Sequence, residues 1–118
     1  MAMIDVKALQ QSYVQLPAPQ RMGHLASDLA RVSQWARQPE CDATAVELMN
    51  LIAWMIEQNP EFVSEELANM QREICIWRRI WPIEAARGLL ALRARVMSER
   101  ILELSGLLDE EDSPEPEP

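Results

Sequence analysis

The C-terminal third of this chain carries apolar residues on two opposite sides of one helix. Ile83, Ala86, Leu90, Ala94, Met97, Ile101, Leu104 and Leu108 recur at spacings of three and four, the rhythm of a helical face. A second set, Ala85, Leu89, Leu92 and Val96, climbs the other side. A helix lying on a core needs one apolar stripe. A helix with two has to be covered twice, by the rest of a bundle or by another chain.

Prolines cut the remaining sequence into segments of the same rhythm. A first helix is expected from Asp5, as its N-cap, to Leu16, with Ala2, Val6, Leu9, Tyr13 and Leu16 as its apolar positions. Pro17 and Pro19 break it, because the residue before a proline is pushed out of the helical region. A second helix runs from about Pro19 to Arg37 on a core stripe of Met22, Leu25, Leu29, Val32 and Ala36. A third begins at Asp42 or Thr44, and Thr44 with Glu47 fits a capping box. Its apolar residues, Val46, Leu48, Met49, Leu51, Ile52, Ala53, Met55 and Ile56, surround most of the axis. It is therefore expected to be the most buried element. Asn59-Pro60 stops it. A fourth starts at Pro60 or, with Ser64 as cap, one turn later, and carries Val63, Leu67, Met70, Ile74, Trp77 and Trp81. Pro82 then falls where the first turn of the fifth helix is expected, a position proline tolerates. The last two helices are thus either one bent helix or two meeting at a corner.

Composition agrees with an all-α reading. The chain has only three glycines and is rich in Leu, Ala, Glu, Met, Gln and Arg, which favour helix. At 118 residues it can bury about two-thirds of its unfolded surface without staples. The net charge of -8 comes mainly from residues 109–118, which hold six acids and no base. Without them thirteen acids face eleven bases, so the body is nearly neutral. The expected organisation is one helical domain over 1–108, of four or five helices, followed by a disordered acidic, proline-rich tail. Two cysteines with no paired spacing, Cys41 and Cys75, give neither a disulfide framework nor a zinc site. No apolar run is long enough to cross a bilayer, and Asp5 in the N-terminal stretch argues against a signal peptide. A cytoplasmic, reduced protein with no membrane partner is expected.

The chemistry-bearing residues are sparse. Between Arg72 and Arg100 seven arginines face three glutamates, and Trp77-Arg78-Arg79-Ile80-Trp81 invites a nucleic-acid reading. However, Trp77 and Trp81 lie on the core stripe. The arginines at 87, 93, 95 and 100 scatter around the helix, with Glu84, Glu99 and Glu103 a turn away from Arg87, Arg95 and Arg100. Ion pairs at a surface or interface are the better reading, and nucleic acid remains the alternative. His24, Asp28, Arg31 and Trp35 rise in one line on the second helix. They form a polar recognition strip, an Asp-oriented base or, by the plainer reading, a solvated face. Trp54 stands on the polar side of the third helix and, with Trp35, either meets a partner or packs beneath the first helix or a loop. No catalytic constellation, cofactor motif or metal-ligand cluster is found, so a non-enzymatic protein is expected. Ile76 and Ile80 also stand off the main stripe of the fourth helix. With Ala85, Leu89, Leu92 and Val96 they form an extra apolar strip. That strip is expected to pair with itself in a two-fold homodimer, within a small protein–protein interaction module such as an adaptor, assembly factor or regulatory subunit.

Overall fold

The computed structural model describes residues 5–58 and 64–106. They form five α-helices: α1 (Val6–Val14), α2 (Ala18–Trp35), α3 (Asp42–Glu57), α4 (Glu65–Ile80) and α5 (Arg87–Ser105). Single 3-10 turns at Pro39–Cys41 and Glu84–Ala86 precede α3 and α5. The all-α bundle expected from the periodicity is the fold observed, with no strand among the described residues. The acidic tail 109–118 and the expected helix start at Pro60 lie outside those residues, as do Ala2, Val63 and Leu108.

Helices α2 to α5 run alternately up and down. Ser33 Oγ donates to the Ala91 carbonyl and Ser98 Oγ to that of Ala26, each at 2.6 Å, which fixes α2 and α5 as an antiparallel pair. This pair makes the most extensive helix contact in the protein. Gln71 Nε2 donates to the Ala53 carbonyl at 2.9 Å and ties α4 to α3. The short α1 lies against α3, where the Tyr13 hydroxyl reaches the Met55 carbonyl.

The predicted stripes fill the core. Met22, Leu25, Leu29, Val32 and Ala36 of the second segment are buried, as are Leu67, Met70, Ile74, Trp77 and Trp81 of the fourth. Helix α3 contributes Ala45, Leu48, Met49, Leu51, Ile52, Met55 and Ile56, more buried residues than any other helix, because its apolar arc is too wide to face one neighbour. Two caps fall where the side chains demand. Asp5 Oδ1 accepts from the Ala8 amide and Ser64 Oγ from the Leu67 amide, both at 3.1 Å, which satisfies first-turn N–H groups that lack a helical partner. Gly106 closes α5 at φ 78°, the left-handed conformation a side chain would resist.

Four local expectations are corrected. The 3-10 turn at Pro39–Cys41 moves the N-cap position of α3 to Cys41, so Thr44 lies inside the helix and the capping box does not form. α1 stops at Val14, short of Leu16, and its Leu9 is exposed. Pro82 does not open α5. Ile83 adopts an extended conformation (φ −81°, ψ 105°), and the chain turns through Glu84–Ala86 before α5 begins. Ile83, placed on the core stripe by its spacing, is consequently exposed.

That corner is organised by Arg87. Its guanidinium forms a two-bond fork with Asp42 at 3.0 and 2.9 Å. It also donates to the Trp81 carbonyl at 2.6 Å and the Ala36 carbonyl at 3.2 Å, and it stacks 4.3 Å from the Trp81 ring. One side chain thus joins the ends of α2, α3, α4 and α5. The expected Glu84–Arg87 pair is replaced by this longer-range one, since Asp42 offers a fork-shaped partner within the bundle. The Arg87 bonds hold the Asp42 carboxyl below its ordinary range.

Candidate functional site

Two surfaces stand out. The first is the outer face of α4 and α5. Arg93 forks Glu73 with both bonds at 2.8 Å, and Arg100 forks Glu66 at 2.7 and 3.2 Å. Seven residues down α4 therefore correspond to seven residues up α5, so the two helices are antiparallel and in register. On α4, Ile76 and Ile80 stand three and seven positions after Glu73. On α5, Leu89 and Val96 stand four before and three after Arg93. Residues three, four or seven apart share a helix side, so these four side chains flank the Glu73–Arg93 bridge on one face. Leu92, three after Leu89, extends it.

This face is uncovered. Leu89 is 62% exposed, Leu92 55%, Ile76 53% and Val96 43%. Ala85 is also exposed and Ile80 half-buried. On the other side of α5, Leu90, Ala94, Met97 and Ile101 are fully packed. The first helix does not shield the strip, because α1 packs on α3.

The arginines around the strip are largely neutralised. Arg87, Arg93, Arg95 and Arg100 pair with Asp42, Glu73, Glu99 and Glu66, and Arg100 also reaches Glu103 at 3.1 Å. Arg78 bonds Asn50 and Arg72 bonds Asn69. The forks hold Glu73 and Glu66 below the ordinary carboxylate range and raise Arg93 and Arg100. Four of the seven arginines between Arg72 and Arg100 are thus held by carboxylates, which weakens their pull on a phosphate backbone, while Arg72, Arg78 and Arg79 keep their charge.

The second surface is a groove of about 720 Å³ beside α2. Four residues singled out by the sequence, His24, Asp28, Arg31 and Trp35, line it together with Leu9 and Tyr13 of α1 and Leu16 just after it. The strip is not a simple solvated face. Asp28 is only 5% exposed, and it shares the groove with residues of α1, α3 and α5. Its Oδ1 accepts from Arg31 at 3.2 Å. Burial pushes the Asp28 carboxyl above its ordinary value, with Arg31 and His24 opposing. The sequence line identified these residues but not the wall that turns them into a groove. The missing signal was Tyr13, the one aromatic of the first segment and 2% exposed. Trp54 sits apart from the groove residues of α2. It is half-buried against the core and tilted on Tyr13, with ring centroids 5.9 Å apart.

Among the described residues no group of three or more His, Cys, Asp and Glu side chains could hold a metal ion, and no helix is long and apolar enough to cross a membrane. Cys41 and Cys75 are free thiols, both half-buried. No protein-family model, curated protein or solved structure matches the chain.

Proposed function

We propose that this protein is a small protein–protein interaction module, of the adaptor, assembly-factor or regulatory-subunit kind, that self-associates through the outer face of α4 and α5. The observation that carries this reading is the exposure of four large apolar residues, Ile76, Leu89, Leu92 and Val96, on the two helices joined by the Glu73–Arg93 ion pair. Exposed apolar patches of this sort mark interaction surfaces. A second copy of the chain is the occupant that fits. A two-fold interface applies the same patch to itself, and the strip's charged groups, Glu73 with Arg93 and Arg95 with Glu99, are already paired within each copy. These paired groups add no net like charge when two such faces meet, and Arg72 and Arg79 beside Ile76 fall at the edge of the strip.

A nucleic-acid role finds less support, since four of the seven arginines between Arg72 and Arg100 already bind carboxylates. Sedimentation of the full chain over a concentration range tests the proposal. Wild type is expected at twice the chain mass and Leu92→Glu as a folded monomer. A wild-type monomer throughout the range, or a Leu92→Glu dimer, overturns it. Tight binding of a duplex oligonucleotide that weakens steeply with salt would favour the alternative.

A further inference from the structure

We infer that the groove between α1 and α2 binds a small apolar molecule carrying a protonated amine, with the ammonium placed at Asp28. The size decides against a helix as occupant. A helix is about 10–12 Å across, and three turns of it exceed the roughly 720 Å³ present, which lies in the range of single-molecule pockets. The lining decides the body of the ligand. Leu9, Tyr13, Leu16, Trp35 and Met55 present an apolar and aromatic wall drawn from three helices.

Asp28 decides the head group. It is 5% exposed and lines the groove. Among the described residues it accepts one hydrogen bond, at Oδ1, from Arg31. That contact is long at 3.2 Å, and the Arg31 side chain is 59% exposed, so the buried charge is poorly compensated. The charged or titratable groups facing it are His24 and Arg31 on its own helix. Among the described residues, the one titratable group that other helices bring to the groove is the Tyr13 phenol, whose hydroxyl donates to the Met55 carbonyl. Consistent with this, Asp28 is harder to ionise than an ordinary aspartate. An ammonium group supplies the missing donor and charge, and the Trp35 and Tyr13 rings are suitable neighbours for a cation. A carboxylate ligand would face Asp28 with like charge, and an alcohol would gain no ion pair.

Calorimetric titration of the full chain with phenylbutylamine, phenylbutanol and phenylbutanoate tests the assignment, since these probes share a body and differ in head group. The amine is expected to bind best. Asp28→Asn is expected to weaken amine binding roughly tenfold, the loss of one charge-assisted bond, while leaving phenylbutanol unchanged. Ser12→Trp, a substitution at an exposed α1 position on the groove wall, is expected to abolish binding of all three. Circular dichroism establishes that each variant is folded. Absence of binding, phenylbutanoate binding as tightly as the amine, or an Asp28→Asn variant that retains full amine affinity overturns the inference.

Discussion

The two sides of α5 have similar composition and opposite fates. One side places Leu90, Ala94, Met97 and Ile101 in the core at 0–2% exposure, whereas the other leaves Leu89, Leu92 and Val96 between 43% and 62% exposed. Periodicity marks both as apolar faces. Only the placement of the neighbouring helices separates a core from a surface waiting for a partner. Burial gives a leucine or isoleucine its contribution to folding. The exposed set contributes little to the monomer and retains its apolar surface for association.

Substitutions on the two sides should therefore part company. Ile101→Ala removes a fully packed side chain and is expected to cost about 3 kcal/mol of folding stability, in the range for such cavities. Leu92→Ala should cost less than about 0.5 kcal/mol, as surface changes do. Urea denaturation in a Leu92→Glu background, which keeps association out of the reading, measures the first directly. Val96→Ala takes the exposed side there. Equal losses at Ile101 and Val96 would break the contrast.

The ion pairs sharpen the same comparison. Arg87 is 14% exposed on the side chain and Asp42 40%, so Arg87→Ala is expected to lose about 2 kcal/mol, below the range for fully buried pairs. Arg87→Lys should recover only part of that, because an ammonium cannot fork. On the outer face, Glu73→Gln is expected to cost under about 1 kcal/mol. Thermal melts of the three variants rank them.

The smallest effect has a sign of its own. Asp42, Glu66 and Glu73 have lowered carboxyls, so their contribution is present above the ordinary carboxylate range and is lost as pH falls through their lowered values. Asp28 is raised, so the folded state holds its proton more tightly than the unfolded chain. Its ionisation removes stability as pH rises from the ordinary value through the raised one. Asp28→Asn is therefore expected to match or slightly exceed wild-type stability at pH 7 and to lose that advantage near pH 3. A variant clearly less stable than wild type at pH 7 would contradict this account of the groove.

What could be read from the sequence follows the range of the interactions. The Asp5 and Ser64 caps and the core stripes of the second, third and fourth segments depend on residues within a turn or two and are observed as expected, whereas Leu9 and Ile83, also placed on stripes, are exposed. The corner at Pro82 depends on Arg87 reaching Ala36 and Asp42, 51 and 45 positions away. Local reasoning offered Glu84 instead and ran the helix straight through Ile83. Likewise the line His24, Asp28, Arg31 and Trp35 was visible, while the burial of Asp28 was not. That burial depends on the packing of other helices around the groove, which no pattern within α2 contains. The outer strip was legible residue by residue. The sequence also joined these residues across Pro82, but the side-by-side register of α4 and α5 comes from the pairing of Glu73 with Arg93 and Glu66 with Arg100, which no local pattern contains.

The central claim is that the strip on α4 and α5 pairs with its own copy, and a cysteine at the middle of the strip tests it most directly. In a full-length Cys41→Ser, Cys75→Ser background, Leu92→Cys should oxidise rapidly to a disulfide-linked dimer. Ala43→Cys, at an exposed site on α3, should remain largely monomeric under the same conditions. If the cysteine at 92 cross-links no faster than the one at 43, the strip does not meet itself and the account fails.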